Sequence, residues 1–411
     1  MRVEQAEVVV TGAGPSGSIA AGMLRQQGRQ VLVLERETFP RFSIGESMLP
    51  QIMQYVEEAG MLRDVVEAGF QFKNGAVFTW GEERYTSFDF RDKFGDGWGT
   101  TYQVQRAKFD KVLADAASRM GADVRYRHEV TAVEVGASPA LTVKNLETGE
   151  VFRVETKFIL DASGFARLLP RLLDLEQPSN FPVRQAFFTH VEDRIGPKEG
   201  FDREKIRIVV HPKHVDVWFW LIPFSDGRCS LGVVAEAKFL DTIPGDEMQK
   251  LQTLANEDPG LHRLLKNANW DTPARTLRGY ASNVKRLCGE GFALLGNAGE
   301  FLDPVFSSGV TIAMTSSSLA TRALHRQLNG ETVDWQKDYA TPLKDGVDAF
   351  RAFVEAWYRG GFQNIIFHPT PDPEIRKKIC AILAGYAWNK KNPFVAEPRR
   401  VSVLEQICAP S

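Results

Sequence analysis

The stretch Glu7-Val8-Val9-Val10-Thr11-Gly12-Ala13-Gly14-Pro15-Ser16-Gly17 decides how this chain is read. A β-branched run ends in a glycine turn, and Ser18 to Gln27 follows with Ile19, Ala20, Met23 and Leu24 at helical spacing before Gly28. Val31-Leu32-Val33-Leu34-Glu35 then returns as a strand. The pattern predicts a βαβ unit whose helix is closed by a glycine. In such a unit the glycines permit a tight turn, close approach of a pyrophosphate to backbone, and close contact of helix and strand. The helix N-terminus offers free N–H groups and positive potential to phosphates. Glu35, at the end of the second strand, is placed to accept ribose hydroxyls. Glycine spacing alone is a weak signal, but strand, helix and acid together predict a dinucleotide site held by Gly12, Ala13, Gly14, Pro15, Ser16, Gly17 and Glu35.

Outward from this unit the predicted class is α/β. Ala107–Gly121 reads as a helix, Val124–Val135 as strand, and Phe158-Ile159-Leu160-Asp161 as a buried strand running into Ala162-Ser163-Gly164. Between about Arg184 and Glu236 the pattern changes to long alternating strands, which predicts an antiparallel sheet with one wet face. The chain returns to a strand at Phe292–Leu295, then a glycine turn and a helix through Leu324, and finishes in helical segments from about Val333 to Gln406. The expected division is a discontinuous nucleotide-binding domain (residues 1–75, 100–170 and 280–330), an inserted sheet domain for substrate (76–99 and 171–279), and C-terminal helices (331–411) closing over the active site. No internal repeat or low-complexity stretch interrupts it.

Of 411 residues, 43% are apolar and 25% charged, an ordinary globular composition with room for large cores. Fifty basic residues against 52 acidic ones leave a net charge of -2, so no global field favours nucleic acid, and a small organic substrate is expected. Cys229, Cys288, Cys380 and Cys408 lie far apart without ligand spacing. They read as buried thiols, with neither a metal site nor a disulfide framework. No segment approaches the roughly 18 apolar residues of a membrane span, so a cytoplasmic location is expected.

Two further motifs concern chemistry. Taken alone, Lys73 in Phe72-Lys73-Asn74-Gly75-Ala76 reads as a solvated surface charge. Trp218 and Trp220, in Trp218-Phe219-Trp220-Leu221-Ile222-Pro223, share one strand face by alternation and read as core. With them stand Phe39-Pro40-Arg41-Phe42-Ser43-Ile44-Gly45-Glu46-Ser47-Met48-Leu49-Pro50, Gln105-Arg106-Ala107-Lys108-Phe109-Asp110, and Leu294-Leu295-Gly296-Asn297-Ala298-Gly299-Glu300-Phe301-Leu302-Asp303-Pro304. In this order the motifs resemble the flavin-dependent halogenases of the p-hydroxybenzoate hydroxylase-like FAD superfamily.

The resemblance implies a Rossmann-type FAD-binding domain with an inserted antiparallel substrate sheet and a C-terminal helical segment. It implies FAD, delivered as FADH2 by a separate flavin reductase, with chloride or bromide as co-substrate. By the same resemblance Arg41, Ile44 and Gly45 belong to a strap over the flavin, Arg106 lies along it, Val130 meets the adenine through backbone, and Arg36, Asp161 and Gly309 complete the cofactor site. Asp303 is expected on the ribityl or phosphate region. Hypohalous acid made at the flavin would reach Lys73, whose amine polarises it or, when neutral, forms a haloamine; burial keeps the neutral form accessible. Trp218 and Trp220 would keep organic substrate from the flavin.

After Pro304 the chain reads Val305-Phe306-Ser307-Ser308-Gly309-Val310. Ser307, Ser308 and Gly309 resemble the family's halide-binding turn, an anion nest of backbone N–H groups. The free-tryptophan halogenases carry glutamate where Phe306 stands, so the resemblance points to the phenol and pyrrole branch. Its members act on aromatic small molecules, free or tethered to an acyl or peptidyl carrier protein. Lys377, Lys378, Lys390, Lys391, Arg399 and Arg400 are either a solvated face or a landing site for such a carrier. The alternative is a flavin hydroxylase or a geranylgeranyl-reductase-like FAD oxidoreductase.

Overall fold

In the computed structural model, residues 1–409 are described. The glycine turn stands at the centre of an eight-stranded sheet. Arg2–Thr11 pairs in parallel with Val151–Asp161 on one side and Val31–Leu34 on the other. Phe292–Leu294 and Asp123–Arg125 extend the parallel core, and the hairpin His128–Glu134/Ala140–Asn145 joins it antiparallel through Val151–Asp161. The register sets Thr11 beside both Asp161 and Leu34, and Asp161 beside Leu294. Four strand ends therefore open at one edge, where ligands of such sheets sit. Beside this sheet the helix Pro15–Gln26 packs against both Arg106–Arg119 and Ser308–Leu328.

A second sheet has seven strands in the order Arg275–Arg278, Arg184–Glu192, Arg228–Glu236, Trp218–Pro223, Lys205–Val210, Gly75–Trp80, Arg84–Asp89. It departs from expectation in two ways. Lys205–Val210 pairs in parallel with Gly75–Trp80, so the sheet is mixed. It also has no wet face at its centre, for all six residues of Trp218–Pro223 are buried. On the far face Phe219, Leu221, Val209, Leu231 and Val233 lie under Leu251, Leu254, Leu261 and Leu264 of the helices Glu247–Glu257 and Pro259–Leu265. On the near face Trp218, Trp220, Ile222, Ile206 and Ile208 look toward the first sheet and the C-terminal helices. The alternation of the strands was real, but its second face is covered by the helices Glu247–Glu257 and Pro259–Leu265, which lie outside the alternating segment.

The helix Thr341–Tyr358 anchors the C-terminal segment through Phe350, Phe353 and Trp357, all fully buried. Trp357 stands edge-on to Trp218 and to Phe306, which joins this segment to the second sheet and to the turn Pro304–Phe306. Cys229, Cys288 and Cys380 are buried thiols as expected, whereas Cys408 is partly exposed. Among the described residues no helix is long and apolar enough to cross a membrane, and no cluster of metal-binding side chains occurs.

Candidate active site

One cavity of about 560 Å³ joins the glycine turn to the second sheet. Gly12, Gly14, Pro15, Ser16, Glu35, Arg36, Arg41, Ile44, Gly45, Arg106 and Val130 line it, as do Ser307, Gly309, Trp218 and Trp220. Residues separated by up to about 300 positions in sequence thus share one wall.

At the nucleotide end, geometry explains why small residues are required. Gly12 has φ +94, and a Cβ there would lie 2.6 Å from the Ala162 carbonyl oxygen. A Cβ on Gly17 would lie 1.9 Å from the Gly12 carbonyl oxygen, so helix and turn touch only because both residues are glycine. No side chain caps the helix Pro15–Gln26, whose first N–H groups remain available for an anion. Glu35 is 7% exposed and accepts the N–H groups of Ala13 at 2.9 Å and Glu37 at 2.9 Å, which fixes the carboxylate at the cavity wall. Ala13 and Gly17 stand behind that wall and shape it.

Arg106 is pinned by Asp110, to which it donates at 2.6 and 2.9 Å, and by the Ile44 carbonyl at 2.5 Å. Arg41 lies 3.6 Å from the same Asp110 and stacks on Phe39. One buried carboxylate therefore positions two guanidinium groups along the strap. Asp161 is placed differently from expectation: it is fully buried behind the wall and accepts from Thr11 Oγ1, Ser163 N–H and Leu169 N–H. It holds the loop Ala162–Gly164, which does line the cavity.

Asp303 is the larger correction. Instead of facing a ribityl chain, it is 3% exposed and turns inward. Its Oδ1 accepts the Val305 N–H at 3.0 Å, capping the turn Pro304–Phe306. Its Oδ2 accepts the hydroxyls of Tyr280 at 3.0 Å and Tyr358 at 2.7 Å. Burial pushes its carboxyl up from 3.8 to about 6. Tyr358 in turn accepts the Trp218 indole N–H at 3.1 Å. One carboxylate thus couples the turn before Ser307 to the indole that lines the cavity. Asn297, from the same motif, is the residue that reaches the cavity wall. Tyr358→Phe leaves the Trp218 N–H without an acceptor and is expected to cost about 1–3 kcal/mol in urea unfolding, whereas Tyr85→Phe, at an exposed site, changes nothing measurable.

Ser307 adopts φ 55 and ψ 25, a left-handed conformation costing a non-glycine residue about 1–2 kcal/mol. It turns the chain into the helix Ser308–Leu328, so Ser307 and Gly309 meet the cavity while Ser308 is buried behind them. Phe306 lies edge-on among Phe353, Trp357 and Phe362. On the second sheet Trp220 lies flat over Gly232 of the neighbouring strand, where a Cβ would meet its ring at 2.2 Å, and donates to Ser230 Oγ at 3.0 Å. Both indoles are therefore held by hydrogen bonds on their buried side.

Lys73 is fully buried, although it ends a three-residue strand. That strand, Gln71–Lys73, pairs with Thr101–Gln103, and Ser47 makes an isolated bridge to Gln103. The strap is thereby drawn across the lysine, whose Nζ donates to Ser47 Oγ and to the Met48 carbonyl, both at 2.7 Å. Burial brings its ammonium down from 10.5 to about 7. Two donors are used, which matches a neutral amine with its lone pair free. The amine does not line the cavity itself; Ser47, its partner, does.

The donor set suits FAD: a glycine cradle that any Cβ would obstruct, an uncapped helix N-terminus for a diphosphate, a carboxylate for ribose, and a buried Ser16 hydroxyl with no partner among the described residues. The FAD binding domain family model matches residues 5–342. A flavoprotein/dehydrogenase structure from Cytophaga hutchinsonii is 40% identical, with a TM-score of 0.94 over 98% of this chain and 99% of that one. The 1H-pyrrole-2-carbonyl-(peptidyl-carrier protein) chlorinase of Pseudomonas fluorescens is 28% identical over 96% of this chain and 92% of its own length. The structure of a flavin-dependent brominase is 25% identical, with a TM-score of 0.83 over 98% and 99% of the two chains. The chain belongs to the FAD-binding-domain family of flavoproteins. Within it, the protein is an FAD-dependent enzyme related to the flavin-dependent halogenases.

Proposed function

We propose that this protein is an FADH2-dependent halogenase that uses oxygen and chloride or bromide to halogenate an electron-rich aromatic ring, a phenol or a pyrrole. The observation that carries the reading is Lys73: a dry, near-neutral amine, hydrogen-bonded through the strap to the wall of the flavin cavity. Reduced FAD and oxygen, when bound, supply the oxidation of halide to hypohalous acid. The protein's own residues do the rest. The Ser307 N–H is taken by the Pro304 carbonyl at 2.9 Å, so the turn presents to halide the N–H groups that open the helix at Ser308 and Gly309. Ser47, which lines the cavity and accepts from the Lys73 amine, joins that amine to hypohalous acid arriving there. Trp218, Trp220 and Ile222 fill the wall there and keep organic substrate away from the flavin.

Phe306 supports the phenol and pyrrole branch, because an aromatic cluster occupies the place of a second catalytic carboxylate. The relative from Pseudomonas fluorescens acts on a carrier-tethered pyrrole, which supports a carrier as one form of the substrate. The surface basic residues support it less, since Lys377, Lys390, Arg399 and Arg400 pair with Glu374, Asp345 and Glu397. A separate reductase is part of the proposal. The protein with NADPH alone is expected to turn over negligibly. With FAD, a flavin reductase, NADH, bromide or chloride, and a panel of free and carrier-linked phenols and pyrroles, mass spectrometry is expected to show the halogen isotope pattern.

The second reading is a flavin dehydrogenase, favoured by the 40% identity to the Cytophaga hutchinsonii flavoprotein. It would show as bleaching of bound FAD by an organic substrate under anaerobic conditions without halide. The same result in the absence of any halogenated product would displace the halogenase reading.

A further inference from the structure

Glu46 sits in the strap between Gly45 and Ser47, and all three residues line the cavity. Its side chain is 1% exposed. The Glu46 carbonyl accepts the Val104 N–H at 2.7 Å, which fixes the strap at this point. With its Nε2 protonated, His190 donates to Glu46 Oε1 at 2.6 Å. The other carboxylate oxygen, Oε2, has no hydrogen-bond partner among the described residues. His190 comes from the strand Arg184–Glu192, two and four residues beyond Phe188 and Ala186, and alternation puts all three on the cavity face. The rings of Phe224, 5.1 Å away, and Phe42, 6.1 Å away, wall the imidazole.

A buried carboxylate with one oxygen oriented by a histidine and the other idle is expensive, because an unmade hydrogen bond in a dry site forfeits hydration with nothing in return. Such groups are retained where a ligand brings the missing donor. The idle oxygen belongs to the neighbour of Ser47, the residue that holds the Lys73 amine.

We propose that Glu46, oriented by His190, is the anchor for an acidic O–H or N–H on the aromatic substrate and takes that proton as halogen is transferred. The inference rests on the halogenase reading. The ring donates its O–H or N–H to Glu46 Oε2. As the ring carbon bonds to halogen, the O–X bond of hypohalous acid breaks and its electron pair stays on oxygen as hydroxide. The O–H or N–H proton shifts to Glu46, which raises electron density on the ring. Hydroxide removes the proton from the halogenated carbon to give water and restore aromaticity, and Glu46 returns its proton to the product.

The test is binding, followed by fluorine NMR on the FAD-loaded protein without halide or reductant. The probes are 4-fluorophenol and its methyl ether, 4-fluoroanisole. Wild type is expected to bind the phenol at least about tenfold more tightly. Glu46→Met, close in volume and apolar, is expected to bind both alike while keeping its FAD, and His190→Phe to narrow the preference. A parallel pair, 4-fluoro-1H-pyrrole-2-carboxamide and its ring-N-methyl derivative, distinguishes an N–H from an O–H donor. Absence of any preference in both pairs, absence of binding, or a preference that survives in Glu46→Met would overturn the proposal. Because no halogenation is needed, these outcomes are separate from failure of the halogenase reading, which isotope patterns alone decide.

Discussion

Replacing Lys73 with methionine is expected to lower halogenation about a thousandfold, at saturating reduced flavin, while making the protein more stable. The rate effect follows from loss of the amine that captures hypohalous acid. The stability effect has the opposite sign because burial holds the folded amine near 7 against its ordinary 10.5. Between these values the unfolded chain binds more protons than the folded one, so stability rises with pH across that window. Below about pH 7 the penalty is at its full size, on the order of 5 kcal/mol. Lys73→Met lacks it, and its advantage in urea midpoint is expected to shrink from pH 7 toward 10.5. An inactive variant that is more stable than wild type excludes misfolding as the cause. Lys73→Arg is not expected to rescue activity, since a guanidinium cannot offer a neutral lone pair. With the neutral amine required, the wild-type rate is expected to fall as pH drops below about 7.

Gly17→Ala is expected to remove FAD and to cost at least about 3 kcal/mol. The new methyl would sit 1.9 Å from the Gly12 carbonyl oxygen and 3.2 Å from the Ala162 Cβ. The first of these is backbone and cannot rotate away, so the turn must open, and with it the diphosphate cradle. Gly28→Ala supplies the control. Gly28 has φ +77 with nothing within 4 Å of an added Cβ, so the expected cost is about 1–2 kcal/mol with FAD retained. Flavin absorbance after gel filtration and the denaturant midpoint read both variants.

The placement of the site residues shows which signals were local. Gly12, Gly14, Pro15, Ser16, Glu35, Trp218 and Trp220 share the cavity wall, because turn, helix and strand geometry are settled within a few residues. Asp303 was assigned outward and lies inward, because its partners Tyr280 and Tyr358 come from elements 23 and 55 residues away. Glu46 carried no signal of its own: its meaning depends on His190, 144 residues on, which has no motif around it.

The amino-acid sequence by itself determined the βαβ unit, the glycine cradle and the shared face of the two indoles, since each depends on backbone dihedrals and a repeat of two or 3.6 residues. Only the tertiary structure decided which charged groups are dry. Lys73 becomes an amine near neutrality because the strap is laid over it by pairing with Thr101–Gln103, and the second sheet loses its wet face to the helices at 247–265. Hydration is a property of the surroundings in space, and those surroundings are brought by residues that the local pattern does not contain.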